Sequence, residues 1–158
     1  MRVIVLYESK YGNTRLVAEK IVEGMRKAGG VDDITIKEVK ALPVEEVKKY
    51  DVIIIGSPNH IGGPTWGIKR FIRRMGKLGL TDKWFAVFDT CLGGREYERA
   101  VKKMEKLIMK NTGQSRILLP GLSIKVKGIK GPIVEGELER CEEFGEKIIE
   151  LFKGKNKE

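Results

Sequence analysis

The chain has 158 residues, 41% of them hydrophobic, which is enough for one domain with a single core. Its 31 basic and 22 acidic residues give a formal net charge of +9. No stretch approaches the roughly 20 apolar residues of a membrane span, and no basic-then-apolar signal segment is found, so we expect a cytoplasmic protein without membrane insertion. Cys91 and Cys141 have no metal-ligand spacing, which favours reduced thiols over a metal site or a disulfide.

The basic surplus is uneven along the chain. It lies mainly in residues 69–77 and 102–110, whereas residues 135–150 are rich in glutamate. Such runs are usually solvated helix faces. No helix-turn-helix, zinc-finger or RNA-binding aromatic motif accompanies them, so we predict no nucleic-acid partner. The abundance of Lys and Glu resembles the surface composition of proteins from hot environments and predicts a thermophilic source.

Short apolar runs alternate with segments of helical period along the whole chain. The predicted strands are residues 3–7, 34–39, 52–55, 85–88 and 117–119. The predicted helices begin after residue 14 and at about residues 65, 97 and 138, with a short turn or helix at 41–47. This alternation is typical of a parallel sheet covered by helices on both faces.

The domain organisation is simple. Because the sequence contains no repeat and no linker, we predict one domain over residues 1–153 and a frayed tail at residues 154–158. The least regular part is the Gly- and Lys-rich stretch 120–134. We predict that it extends the last strand as a bulge; the alternative is a loop that contacts a substrate or partner.

The segment Ser9-Lys10-Tyr11-Gly12-Asn13-Thr14 connects the first strand to the first helix. The first amides of a helix lack internal acceptors, and the helix dipole favours negative charge there, so this position favours phosphate binding. The alternative is that Ser9, Asn13 and Thr14 only cap the helix. Neither a Walker loop nor a G-x-G-x-x-G fingerprint is present, which favours a terminal phosphate monoester such as that of FMN.

Two more unusual loops follow the third and fourth predicted strands. They contain Pro58-Asn59-His60-Ile61-Gly62 and Thr90-Cys91-Leu92-Gly93-Gly94. Turn formation alone explains the Gly and Pro residues of either loop. However, ligands of an open parallel sheet lie outside the carboxyl ends of the strands, near the point where strand order reverses. Three such loops at one edge therefore predict a binding pocket.

On these three loops the sequence resembles the short-chain flavodoxin family and its quinone-reductase relatives, and the resemblance covers essentially the whole chain. The first loop is similar to the family's phosphate loop, [ST]-x-T-G-N-T, with Tyr11 in place of the middle Thr. The resemblance implies a flavodoxin-like α/β three-layer sandwich: a five-stranded parallel sheet in the order 2-1-3-4-5 with helices on both faces.

The resemblance also implies the cofactor and its contacts. FMN would be bound through its phosphate by residues 9–14, while its ring would be lined by residues 58–62 on one face and by residues 90–94 at the pyrimidine edge and other face. His60 or Ile61 would lie over the ring. Gly62 or Gly63 would permit a peptide flip, because glycine lacks a Cβ. No catalytic side chain and no metal are implied.

The implied function is reversible reduction of bound FMN by an electron carrier. Two alternatives stay open: an FMN-dependent quinone or porphyrinogen oxidoreductase, and a flavin-free interaction domain on the same fold. Residues 56–67 carry no Asp or Glu, and four cations follow at Lys69, Arg70, Arg73 and Arg74. This pattern favours a redox partner protein with an acidic docking surface. We expect a monomer or a weak homodimer.

Overall fold

The computed structural model describes residues 1–113 and 116–157. Its strands are β1 (Arg2–Tyr7), β2 (Asp33–Glu38), β3 (Val52–Pro58), β4 (Trp84–Cys91) and β5 (Leu122–Lys125). Its α-helices are α1 (Asn13–Ala28), α2 (Trp66–Gly76), α3 (Arg99–Thr112) and α4 (Glu137–Asn156). Short 3-10 helices cover Val39–Ala41, Val44–Lys49 and Gly94–Glu96.

The five strands form one sheet in the order β2-β1-β3-β4-β5, and each neighbouring pair is parallel. The predicted topology is confirmed. Because β2 and β3 lie on opposite sides of β1, the strand order reverses there. The loops after β1 and β3 therefore border the place where such sheets bind ligands.

Helices cover both faces of the sheet, as predicted. Buried residues of α1 and α4 form one core cluster with one face of the strands, and buried residues of α2 and α3 form a second cluster on the other face. The central strands β1 and β3 are buried along almost their whole length. This explains why their sequences are continuous apolar runs rather than alternating ones.

Helices α1 and α4 approach each other very closely. A Cβ atom added to Gly24 would lie 2.0 Å from the carbonyl oxygen of Glu142, and one added to Gly145 would lie 2.1 Å from that of Ile21. The two backbones therefore touch at both glycines. No side chain larger than hydrogen fits between them at these points.

The fifth strand differs from the prediction. Residues 117–119 contribute only an isolated bridge between Phe85 and Ile117, so their prediction as a strand is wrong. Pro120 interrupts the ladder because it has no amide to donate. Pairing with β4 resumes at Leu122 and continues to Lys125.

The stretch after β5 folds back as a small hairpin. Val126 and Ile133 form an antiparallel bridge, and the Lys127 amide donates to the carbonyl of Pro132 at 2.8 Å. Helix α4 then continues to Asn156, and Glu158, the last residue of the predicted tail, lies outside the described residues. Within the described part of the chain, no helix is long and apolar enough to cross a membrane.

Candidate functional site

A cavity of about 450 Å³ opens at the carboxyl edge of the sheet, where the loops after β1, β3 and β4 meet. The structure brings together most of the predicted site residues around it. From the prediction, the lining contains Ser9, Lys10, Tyr11, Asn13, Thr14, Pro58, Asn59, His60, Ile61, Thr90, Cys91 and Leu92. The remaining four predicted residues, Gly12, Gly62, Gly93 and Gly94, shape the loops but do not line the cavity.

Gly12 forms the N-cap of α1 in the left-handed conformation, with φ 91°. Its amide donates to Ser9 Oγ at 3.0 Å, which folds the first loop back on itself. Gly12 has no side chain to accept the amides of the first helical turn, and that turn carries no acidic residue. The amino end of α1 is therefore suited to an anion.

The first and third loops are joined by one buried hydrogen bond. Thr14 Oγ1 and Thr90 Oγ1 lie 3.0 Å apart, and both residues are almost inaccessible to solvent. This bond connects the first turn of α1 to the end of β4 across the end of β3. Thr14 is thus a structural residue as well as a cavity-lining one.

The middle loop has one fixed part and one protruding part. The Asn59 amide donates to the Thr90 carbonyl at 2.7 Å, and the His60 amide donates to the Gly63 carbonyl at 2.7 Å. Ile61 lies inside the turn that the bond from His60 to Gly63 closes; it has φ 48° and is 92% exposed. A β-branched residue seldom adopts this left-handed conformation. The side-chain amide of Asn59 is buried, and neither of its polar atoms has a partner among the described residues.

The third loop is closed by Glu96, which the sequence analysis did not select. Its carboxylate accepts the Leu92 amide at 3.2 Å, and its own amide donates to the Gly93 carbonyl at 3.1 Å. Glu96 also lines the cavity. A glutamate two residues after a Leu-Gly-Gly turn gives no sequence signal for such a contact.

The hairpin after β5 provides two further cavity residues that were missed, Val126 and Ile129. It packs against the start of α1, since a Cβ atom at Gly131 would lie 2.6 Å from Asn13 Oδ1. The Lys130 ammonium lies 5.8 Å from the Tyr11 ring centre. The stretch 120–134 therefore both extends β5 and forms one wall of the cavity.

A buried polar chain lies beneath the third loop. Ser123 Oγ donates to Asp89 Oδ1 at 2.6 Å and lies 3.4 Å from Cys91 Sγ, while the Val101 amide donates to Asp89 Oδ2 at 3.1 Å. Burial raises the pKa of the Asp89 carboxyl to about 6, although the hydrogen bonds from Ser123 and Val101 act in the opposite direction. Burial also raises the pKa of the Cys91 thiol, which keeps it protonated.

The fold and the site together define a class: an α/β domain with a pocket at the switch point of a parallel sheet. The family model for flavodoxin matches residues 5–145. The chain belongs to the flavodoxin family. Membership in this family implies a flavin cofactor.

Two curated relatives are also flavodoxins. The chain is 36% identical over 70 residues to the flavodoxin of Aquifex aeolicus (strain VF5). This aligned segment covers 44% of this chain and 37% of that relative. It is 30% identical over 90 residues to the flavodoxin of Clostridium saccharobutylicum, covering 57% of this chain and 56% of that relative. The matched part thus spans between about two fifths and just over half of the length of these relatives.

Solved structures share the fold. A flavodoxin from the domain Archaea has a TM-score of 0.80 and 23% identity, with 97% of this chain and 99% of that chain covered. Oxidised flavodoxin 1 from Bacillus cereus has a TM-score of 0.78 and 22% identity, with 95% and 98% covered. Rubredoxin oxygen:oxidoreductase from Desulfovibrio gigas reaches 0.78 at 18% identity, over 98% of this chain and 36% of that one.

The residues present fit a flavin that ends in a phosphate. The uncapped amino end of α1 suits the anionic group, and the buried Asn59 amide has unused donors and acceptors beside the cavity. The exposed side chains of Ile61 and Leu92 and the half-buried Pro58 supply apolar surface. The lining thus combines an anion-binding helix end with amide groups and apolar surface, the types of group that such a molecule requires.

Proposed function

We propose that this protein binds FMN in the cavity between its three loops and works as an electron carrier of the cytoplasm. One observation supports the proposal: the uncapped amino end of α1 lines the same cavity as the loops after β3 and β4, which supply apolar and amide groups. Free, buried Cys91 and Cys141 thiols agree with a reducing compartment.

In the proposed complex, the amides of Asn13 and Thr14 and the Ser9 hydroxyl hold the phosphate. Residues 58–62 contact one face of the ring, and residues 90–94 contact its pyrimidine edge and other face. When bound, the flavin accepts and releases electrons. The protein's own task is to orient the ring, to exclude water from it and to set the charge around it.

The first test compares FMN with riboflavin, which lacks the phosphate. We expect FMN to bind at least about 100-fold more tightly, because the end of α1 and the charge-assisted hydrogen bonds act only on the phosphate. Quenching of flavin fluorescence during titration of the purified protein measures both affinities. Equal affinity for the two flavins would contradict phosphate binding by the first loop.

A second prediction concerns Gly12. The variant Gly12→Ala is expected to bind FMN about tenfold more weakly, with little change in its affinity for riboflavin. A Cβ atom there meets no protein atom within 4 Å and so projects into open space beside the end of α1. It also strains the left-handed backbone by about 1–2 kcal/mol.

Gly136 provides the matched control for this strain. It is the N-cap of α4, has φ 85° and likewise has no atom within 4 Å of an added Cβ. Gly136→Ala should therefore lose a similar amount of stability while keeping the FMN affinity of the parent protein. If both variants lose FMN equally, the effect of Gly12 arises from general destabilisation, and the phosphate assignment fails.

The charges near the site predict the kind of redox partner. Lys10 and Lys130 flank Tyr11 at the mouth of the cavity, with ammonium-to-ring distances of 5.5 and 5.8 Å. Arg99 and Lys103 pack beneath Gly62 and Gly63. The proposed partner surface is therefore acidic, and long-range attraction should accelerate encounter.

Small oxidants of opposite charge test this prediction without a known partner. Oxidation of the reduced, FMN-loaded protein by anionic ferricyanide should slow at least about threefold between about 10 and 200 mM salt, because salt screens the attraction. Oxidation by cationic tris(phenanthroline)cobalt(III) should accelerate. Stopped-flow absorbance measures both rates.

The variants Lys130→Glu and Lys147→Glu separate local from net charge. Both make the same charge change, but Lys130 lies beside Tyr11, whereas Lys147 is exposed on α4. Only Lys130→Glu should slow the reaction with ferricyanide appreciably. Equal effects of the two variants would show that net charge, rather than a docking surface, controls the rate.

A further inference from the structure

A second and larger cavity of about 870 Å³ lies next to the proposed FMN site. It is bordered by the end of β1, by the last residue of β2 and residues 39–45 after it, and by α2. Four residues line both cavities: Ser9, Lys10, Pro58 and His60. The two cavities therefore share one wall. Beyond this shared wall, the larger cavity is lined by residues that were not predicted to bind FMN.

The larger cavity has an apolar floor and one exposed aromatic side. Tyr7, Val39 and Phe71 line it and are almost fully buried. At its edge Trp66, the first residue of α2, is 67% exposed. A concave volume of this size with apolar walls is typical of sites for small organic molecules.

The α2 side of this cavity carries two arginines that form no ion pair among the described residues. The Arg70 guanidinium lies 5.2 Å from the centre of the Trp66 ring, and Arg74 follows one turn later. Among the described residues, neither Arg70, Arg74 nor Lys10 makes an ion pair. A guanidinium stacked on an aromatic ring keeps its edge free for a carboxylate or a related anion.

The carboxylates of the cavity are placed differently. Glu8 accepts the Thr65 hydroxyl at 2.9 Å and packs against Gly67, and Glu38 pairs with Lys40 at 3.5 Å. Glu45 stands on the opposite side, in the 3-10 helix Val44–Lys49. Glu8 thus lies against the first turn of α2, and the positive part of the cavity is the following two turns, which carry Arg70 and Arg74.

We propose that this cavity binds a small planar anion, an aromatic ring system that carries a carboxylate or a related acidic group. The ring lies against Trp66 and the apolar floor, and the acidic group faces Arg70 and Arg74. A molecule bound in this way also contacts Pro58 and His60, which line the FMN cavity from the other side. The bound molecule and FMN would thus lie on opposite sides of the wall that the two cavities share.

The test uses the FMN-loaded, oxidised protein and 2-naphthoate, with neutral 2-naphthamide for comparison. Isothermal titration calorimetry should show binding of the carboxylate at least about fivefold tighter than that of the amide. In NMR spectra the indole N–H signal of Trp66 should shift on binding, while that of Trp84 stays in place. Trp84 begins β4, at the opposite end of the strands.

Two variants of α2 make the matched comparison. Arg70→Gln should weaken binding of 2-naphthoate about tenfold. Arg73→Gln removes the same charge from the same helix outside the cavity and should change binding less than about twofold. The absorbance of bound FMN should be the same in both variants, since neither residue lines the smaller cavity.

The outcomes separate this proposal from that of FMN binding. Loss of FMN from the parent protein on addition of 2-naphthoate would place the anion in the cofactor cavity and overturn the second site. Equal weakening by the two substitutions, or a shift of Trp84 alone, would also overturn it. Failure to bind FMN is visible directly in the absorption spectrum, and titration of 2-naphthoate into that protein still tests Trp66 and Arg70.

Discussion

Replacement of Gly145 by alanine is expected to lower the free energy of unfolding by about 3 kcal/mol. The added Cβ atom would stand 2.1 Å from the carbonyl oxygen of Ile21 and 2.9 Å from the amide nitrogen of Met25. Both are backbone atoms of α1, so relief requires a whole helix to move, and overpacking of this kind costs about 1–3 kcal/mol or more. Urea denaturation followed by circular dichroism measures the change.

The same substitution elsewhere in α4 provides the control. Gly154 is exposed, and an added Cβ atom there meets nothing within 4 Å. Gly154→Ala should raise the stability by about 0.5 kcal/mol, because alanine favours the helix over glycine. A Gly145→Ala protein as stable as the parent would show that α1 and α4 are not in backbone contact.

The second large effect concerns Asp89, and its size depends on pH. The pKa of this buried carboxyl is about 6 in the folded protein, against an ordinary value of 3.8. The folded state therefore binds the proton more tightly than the unfolded state, and stability falls as the pH rises from about 4 to about 6. At pH 7 the ionised carboxylate lowers the free energy of unfolding by about 3 kcal/mol, because each unit of difference between the folded and unfolded pKa corresponds to about 1.4 kcal/mol.

The variant Asp89→Asn should be more stable than the parent by about 2 kcal/mol at pH 7 and about equal to it near pH 4. An asparagine in this position still accepts the Val101 amide through its oxygen, and its nitrogen donates to Ser123 Oγ. Asp82→Asn, the same substitution at a side chain that is 78% exposed, serves as the control. A pH-independent difference for Asp89→Asn would contradict the raised pKa.

The parallel sheet and the edge that carries the site follow from local features of the sequence, whereas the strand order was implied by the family resemblance. Buried apolar runs alternating with amphipathic segments require a parallel sheet, and the carboxyl ends of parallel strands lie at one edge. The loops at residues 9–14, 58–62 and 90–94 therefore lie at this edge, and they meet because β1, β3 and β4 are neighbours in the sheet. Helical period also placed α1 and α2 within a residue or two of their observed bounds.

The features that were missed depend on contacts distant in sequence. Residues 117–119 look like a strand by composition, but Pro120 interrupts pairing, and β5 forms three residues later. The contribution of Val126 and Ile129 to the cavity requires the hairpin to fold back onto Asn13. Similarly, nothing near Gly145 in the sequence reveals that Ile21 lies against it.

The bond between Thr14 and Thr90 determines which part of the site can move. It fixes the two outer loops to each other, and the adjoining Asn59 amide is tied to the Thr90 carbonyl. These bonds join Thr14, Asn59 and Thr90, whereas residues 60–63 are joined to each other by the bond from the His60 amide to the Gly63 carbonyl. Ile61, at the tip of this segment, is 92% exposed, so we expect a ligand wider than the cavity to displace residues 60–63 rather than the two outer loops.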